Sequence, residues 1–305
     1  MSLKVVDVAV NALGKPFQTT LAILSLLKHS HKHIDKIYLI AENANTPRQL
    51  NGFEFIKNKL KSRLIFYVPK NFYWIRLMDV DSIVEEEARL SVRYQYAWEM
   101  TDKDYLYICH NDTYHKRDVV GLYLGKCKDH IGAGSVGACV GCPAYYAKKC
   151  SGDKYLSYRP NYQELYDLYE KHDFYKYKNC TPFHLANFCE GYRENPWPLP
   201  PCRINEWSCL INMRLVRSVT SPLGPVHPFG CIASCGGYGV DIGALWFHDM
   251  HRYGYTACHC DISDCIDHGC GHQSMLDQNV YYKNENLAKQ KLQSEFGIAS
   301  NSIID

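Results

Sequence analysis

The sequence predicts an α/β fold: one domain on a mostly parallel sheet with helices on both faces. Three observations carry this. Apolar runs of strand formers at 4–12, 34–41, 63–68 and 105–109 read as buried strands. Helical patterns separate them, and strands alternating with helices build parallel sheets. Polar residues also gather at the carboxyl ends of these runs, where open α/β sheets bind their ligands.

Taken in order, 4–12 is a first strand closing on Asn11-Ala-Leu-Gly-Lys-Pro16, a loop by its Gly and Pro. A helix over 18–29 follows, then a strand over 34–41 with Ile37-Tyr-Leu-Ile40 at its centre and Glu42-Asn43 at its end. The run 63–68 is a third strand stopped by Pro69. One helix is expected over 82–98, with Ser82 as N-cap, Glu85 in the capping-box position, and Ile83, Leu90, Tyr94 and Ala97 on one side.

The stretch that organises the chain comes next. Tyr105 to Cys109 is apolar and ends abruptly in His110, Asn111 and Asp112, side chains that bind metal or sugar. Thr113 to Arg117 are too polar to continue the strand. The same residues also suit an Asn-Asp turn.

Beyond residue 120 the pattern loosens. A glycine-rich segment over 132–141 leads into an expected strand over 138–147. The segment 150–201 is rich in Tyr, Lys, Pro and Asn, holds a helix near 162–171, and is too poor in aliphatics for a core of its own. It reads as an insertion on the sheet's working edge. An apolar stretch over 207–216 precedes a helix over 241–253, with Asp241 as N-cap and Ile242, Leu245, Trp246, Met250 and Tyr253 on its buried side. A short strand over 256–262 follows, then a terminal helix over 284–296 stopped by Gly297. Residues 298–305 form a frayed tail.

Composition narrows the function. With 305 residues, 46% hydrophobic and 22% charged, the chain suits a soluble globular domain. A net charge of +2 with scattered Lys and Arg gives no case for nucleic acid. No run is long enough to span a bilayer, and Asp7 interrupts the first apolar run, so no transmembrane segment and no signal peptide are expected. The expectation is a cytoplasmic protein, its fifteen cysteines reduced.

Several stretches, in order, resemble GT-A glycosyltransferases, above all the large family 2 of rhamnosyl- and hexosyltransferases. They are the first strand and helix, Ile37-Tyr-Leu-Ile-Ala-Glu-Asn43, Ala88-Arg89-Leu90 leading to His110-Asn111-Asp112, and Trp207-Ser-Cys-Leu-Ile-Asn-Met-Arg214. Gly239-Val-Asp241 opening a helix, Tyr253-Gly-Tyr255, Asp267-His268-Gly269 and the closing 281–297 follow. The chain departs from the family in three places: His110 replaces the first Asp of Asp-x-Asp, Leu90 an Asn, and Val240 the Glu of Glu-Asp.

The resemblance implies one GT-A-like domain over 1–297. Its nucleotide-binding half would be 1–120, its acceptor half 205–275, and 150–201 an aromatic acceptor region. It implies sugar transfer from a UDP-, GDP- or dTDP-linked donor to a carbohydrate or other hydroxyl acceptor. Mn²⁺ or Mg²⁺ would be held by Asp112 with His268, and one oxygen with one imidazole suits Mn²⁺ better than an all-oxygen set would. Asn11, Glu42 and Asn43 would face the base and ribose, with Arg89, His110 and Asn111 also on the donor side. Asp241 would be the base of an inverting reaction.

Two other readings stay open. Cys258, Cys260, Cys265, His268, Cys270 and His272 could organise a zinc-binding module without catalysis, though paired Cys-x-x-Cys knuckles are missing there. Sugar-phosphate nucleotidyl transfer shares the fold type, but Asn11-Ala-Leu-Gly-Lys15 is a poor phosphate loop.

Overall fold

The computed structural model describes residues 5–42, 52–73, 83–172, 193–235, 238–269 and 277–303. Its strands, in chain order, are β1 (Val6–Ala12), β2 (Ile34–Ala41), β3 (Leu64–Tyr67), β4 (Tyr105–His110), β5 (Thr113–His115), β6 (Gly132–Val136), β7 (Ile204–Asn212), β8 (Ala233–Cys235), β9 (Tyr238–Val240), β10 (Cys258–His259) and β11 (Ile266–His268). Seven of them form one sheet in the order β10-β6-β7-β4-β1-β2-β3. Its pairings are parallel except those of β7, which runs antiparallel to β4 and β6.

The buried runs produce this sheet because both faces are covered. Val6, Val8, Val10, Ile37, Leu39, Tyr107 and Cys109 point into one apolar layer, and Ala9, Tyr38, Ile40, Leu106 and Ile108 into the other. Helices Pro16–Ser30, Val119–Cys127 and Gln278–Phe296 supply residues to the first layer. Helices Gln95–Met100, Tyr162–His172 and Ala244–Arg252 supply the second. The expected α/β fold with its mostly parallel sheet is therefore present. The chain lays β2 on one side of β1 and β4 on the other, so the carboxyl ends of β1 and β4 flank the point where strand order reverses. Such a point opens a ligand crevice.

The first helix starts at Pro16, two residues earlier than expected, with proline at its first position. Lys15, at φ 57°, supplies no side-chain cap. Instead Glu285 reaches across from the last helix and accepts the N–H groups of Phe17 (3.1 Å) and Gln18 (3.0 Å). The last helix begins at Gln278, capped by Asp277, and stops at Gly297 as expected.

Several expectations on local structure are corrected: residues 298–303, expected to fray, turn back and bury Ile298 and Ile303 in the core. The helix expected over 82–98 is two, Glu86–Leu90 and Gln95–Met100, parted by Tyr94 in the left-handed region at φ 66°. Ser82 lies outside the described residues. The strand expected over 138–147 is a turn and a short helix, Pro143–Tyr146; the strand is the glycine-rich segment before it. Gly132 sits there because a Cβ would come within 2.6 Å of the Leu210 carbonyl on β7. Helix Val119–Cys127 was hidden by Gly121, whose absent side chain leaves room for the capping Asp118. Helix Ala244–Arg252 begins after Gly243, not at Asp241, and Tyr253 is exposed.

Thr113 to His115 do form a strand. β5 pairs antiparallel with β11, placing His268 opposite Thr113. His115 is buried, with its Nε2 2.9 Å from the Tyr107 hydroxyl and its backbone N–H donating to Ser25 Oγ. Burial lowers its pKa from 6.5 to about 3, so the folded protein holds it neutral. Between those values the unfolded chain binds a proton that the native state refuses. The stability this gives is complete above pH 6.5 and is lost as pH falls, by up to about 1.4 kcal/mol per unit. Urea unfolding should therefore show stability declining below pH 6.5, with a shallower decline in His115→Gln. Equal slopes would contradict this.

Candidate active site at the carboxyl end of the sheet

The site is built where β4 ends. Asn11 on β1 pairs with His110 on β4, so both sit at the carboxyl edge beside the crevice. The chain turns through Asn111 and Asp112 straight into β5, and the β5–β11 pair carries His268 back over the turn. Gly269 permits this closeness: its N–H donates to the Asp112 carbonyl at 2.8 Å, and a Cβ would stand 3.2 Å from that of Asp112.

Three ligand atoms converge as a result. His110 Nδ1 and His268 Nε2 are 3.2 Å apart, and they lie 3.9 and 3.3 Å from Asp112 Oδ1. The circle through these atoms has a radius of roughly 2 Å, the length of a bond from a divalent cation to nitrogen or oxygen. Asp112 Oδ1 is buried and has no hydrogen-bond partner. Among the described residues no other group of three or more His, Cys, Asp or Glu brings its ligand atoms within 4.8 Å of one another. An orphaned carboxylate oxygen flanked by two imidazole nitrogens fits a cation.

The surroundings fix the charges. Burial opposes ionisation of Asp112, but the imidazole of His268, the ammonium of Lys15 and His110 overcome it and hold the carboxyl well below its usual range. Lys15 Nζ sits 2.9 Å from Oδ2, leaving Oδ1 to the two histidines. Glu206 on β7 lies 3.5 Å from His110 Nε2. Burial would raise its pKa, but Arg203 and His110 lower it to about 2. A carboxylate behind the imidazole favours a proton on Nε2 and leaves the Nδ1 lone pair for a ligand. Trp207 stacks on the His268 ring at 5.0 Å and 6°, fixing its plane. Arg203 extends the chain of charges to Asp241, Nη2 to Oδ2, at 2.8 Å.

Of the residues expected from sequence, His110, Asp112 and His268 are brought together, and His110 is thereby added to the Asp112–His268 pair. Asn11 lies at the crevice with its side-chain N–H₂ buried and unpaired. Glu42, at the end of β2, accepts from Arg93 at 3.0 Å. Asn111 instead ties the β4 end to the loop after β1, donating to the Gly14 carbonyl and Thr19 Oγ1. Arg89 is taken up by Glu99 and the Val84 carbonyl, so Arg93 is the arginine of that region that reaches a strand end. Asp241 is not a helix cap; its side chain is 55% exposed and paired with Arg203. Asn43, Cys270 and His272 lie outside the described residues. Cys258, Cys260 and Cys265 gather into no metal-holding group among the described residues.

Sequence reasoning missed Lys15, Arg203, Glu206 and Trp207. A signal existed for Glu206: it is a carboxylate directly beside the stretch that begins at Trp207, and such a residue stays buried only when paired.

No protein-family model and no curated protein matches the chain. Solved structures similar to it over nearly its whole length include GT-A glycosyltransferases. One is the mannosyltransferase PcManGT from Pyrobaculum calidifontis, in complex with GDP-Man and Mn²⁺ (10% identity, 98% of this chain and 66% of that one, TM-score 0.47). Another is the galactosyltransferase LgtC with donor and acceptor sugar analogues (9%, 97% and 98%, TM-score 0.48). A third is glucosyl-3-phosphoglycerate synthase from Mycobacterium tuberculosis with Mn²⁺, UDP and phosphoglyceric acid (12%, 98% and 81%, TM-score 0.45). The chain spans 66% of the mannosyltransferase and 34% of a further match, TarS from S. aureus. At these identities the likeness is one of chain path, not of side chains. No helix among the described residues is long and apolar enough to cross a membrane.

Proposed function

We propose that this chain is a glycosyltransferase that moves a sugar, of the hexosyl type, from a UDP-, GDP- or dTDP-linked donor to a hydroxyl acceptor. The observation that carries the reading is the convergence of His110, Asp112 and His268 on an orphaned carboxylate oxygen at the strand-order switch point. Two imidazoles with one carboxylate favour Mn²⁺ over Mg²⁺, which prefers an all-oxygen set. When bound, the cation supplies positive charge for the diphosphate leaving group.

The chain's own residues divide the remaining work. The unpaired side-chain N–H₂ of Asn11 is a donor for the nucleotide, and Glu42, steadied by Arg93, is an acceptor for ribose hydroxyls. Glu206 and Trp207 orient the two histidines. In this reading Asp241, half exposed and paired with Arg203, would take the proton of an acceptor hydroxyl in an inverting reaction. Near the described ends of 150–201, Arg159 lies 4.0 Å over the half-buried Trp197 ring, which is backed by the buried Tyr155, and in this reading the segment is the acceptor region. Among the described residues eleven cysteines are free thiols, and this reading sets the chain in a reducing, cytoplasmic environment.

A thermal-shift screen of UDP, GDP and dTDP tests the reading. One nucleotide should raise the melting temperature by several degrees in the presence of Mn²⁺, since ligand at 100 times its Kd adds about 2.7 kcal/mol. No shift with any of them at millimolar concentration, with or without Mn²⁺, would rule the reading out.

A further inference from the structure

Away from the crevice, four thiols line one small cavity: Cys139, Cys142, Cys150 and Cys202. Three separate stretches of chain deliver them. Cys139-Val-Gly-Cys142 is a Cys-x-x-Cys turn just after β6, closed by the Cys142 N–H donating to the Cys139 carbonyl at 3.1 Å. Cys150 arrives on a loop pinned at Gly152, where a Cβ would collide with the His259 ring and the Val136 carbonyl. Cys202 comes from the segment that leads into β7, laid beside the turn by bonds from Gly137 N–H to the Arg203 carbonyl and Ala138 N–H to the Pro201 carbonyl.

The cavity measures about 10 Å³, room for a single water-sized sphere. We infer that these four cysteines bind one zinc ion, a structural site separate from the His110–Asp112–His268 centre. The ligand set is the four-cysteine set of structural zinc, and soft thiolates select such metals.

The sulfurs stand wider apart than in a closed site. No three of them lie within 4.8 Å of one another, against the roughly 3.8 Å edge of a tetrahedron with 2.3 Å zinc–sulfur bonds. Zinc closes the gap by side-chain rotation, and each thiol gives up its proton as it ligates. The site fastens both ends of the 150–201 segment to the end of β6. It sits one residue before Arg203 and four before Glu206, so it holds in place the strand that steadies His110. The inference does not depend on the transferase reading.

Metal analysis of the full chain, purified after expression in zinc-supplemented medium, tests it. About one zinc per chain is expected, retained through dialysis against EDTA and released by a mercurial reagent. Cys142→Ser and Cys202→Ser should lose the zinc, while His268→Ala keeps it. Should those variants fail to fold, differential alkylation of the wild-type protein gives the answer. Cys139, Cys142, Cys150 and Cys202 should resist iodoacetamide until the metal is stripped, whereas Cys258 and Cys265 should not. Zinc-free protein whose four thiols alkylate freely, disulfides among them, or zinc retained by both folded serine variants would overturn the assignment.

Discussion

Asp112→Asn should abolish Mn²⁺-dependent nucleotide binding. The substitution keeps the side chain's volume and removes the negative charge on which both imidazoles converge. It also strands Lys15, whose side chain is 6% exposed and whose counter-charge is Asp112. Breaking a buried ion pair from one side costs about 3–5 kcal/mol, so the single variant should be less stable as well as inactive. Asp112→Asn combined with Lys15→Met separates the two effects. Removing both charges should restore most of the stability measured in urea, because buried pairs contribute little net stabilisation over apolar replacements. Nucleotide binding by calorimetry should stay lost. A double variant that binds nucleotide with Mn²⁺ as the wild type does would remove Asp112 from the site.

Asp241→Asn should act on turnover alone. The side chain is half exposed, and its pairing with Arg203 is of the kind worth about 0.2–1 kcal/mol, so folding should be almost unaffected. Nucleotide affinity should also hold, because Asp241 touches none of the three ligand residues among the contacts described. If Asp241 takes the acceptor proton, turnover should fall by roughly 10²–10⁴-fold, the usual worth of a general base. Steady-state kinetics with a transferable donor would read this directly. Near-normal turnover would leave Asp241 as a partner of Arg203 and point to a retaining course or another base.

The strands were legible where burial on both faces leaves a continuous apolar run, as in Ile37-Tyr-Leu-Ile40 and Tyr105 to Cys109. For the same reason the end of β4 stood out: His110, Asn111 and Asp112 break such a run without any turn glycine. What could not be read depended on partners far along the chain. β5 is three residues long, and its partner β11 lies 150 residues on, so Thr113 to His115 looked merely polar. The helix break at Tyr94 is set by the tertiary fold, since nothing local in Arg93-Tyr-Gln95 calls for a left-handed residue. Asp241 looked like a cap because it precedes an apolar helical pattern. The chain instead turns at Gly243, with φ 77°, and frees the aspartate for Arg203. Lys15 was passed over as loop, yet the positive φ of Gly14 and Lys15 is what turns its ammonium towards Asp112.

In the proposed site His110, Asp112 and His268 hold one cation where β1 and β4 diverge. Electron paramagnetic resonance of Mn²⁺ titrated into the protein with a nucleoside diphosphate present measures this most directly, because the sharp signal of free Mn²⁺ disappears as the ion binds. The wild-type chain should bind about one Mn²⁺, and His268→Ala, which leaves the Asp112–Lys15 pair intact, should bind it far more weakly. Wild-type protein that leaves the free signal unchanged, or a His268→Ala variant that titrates like the wild type, would contradict the account.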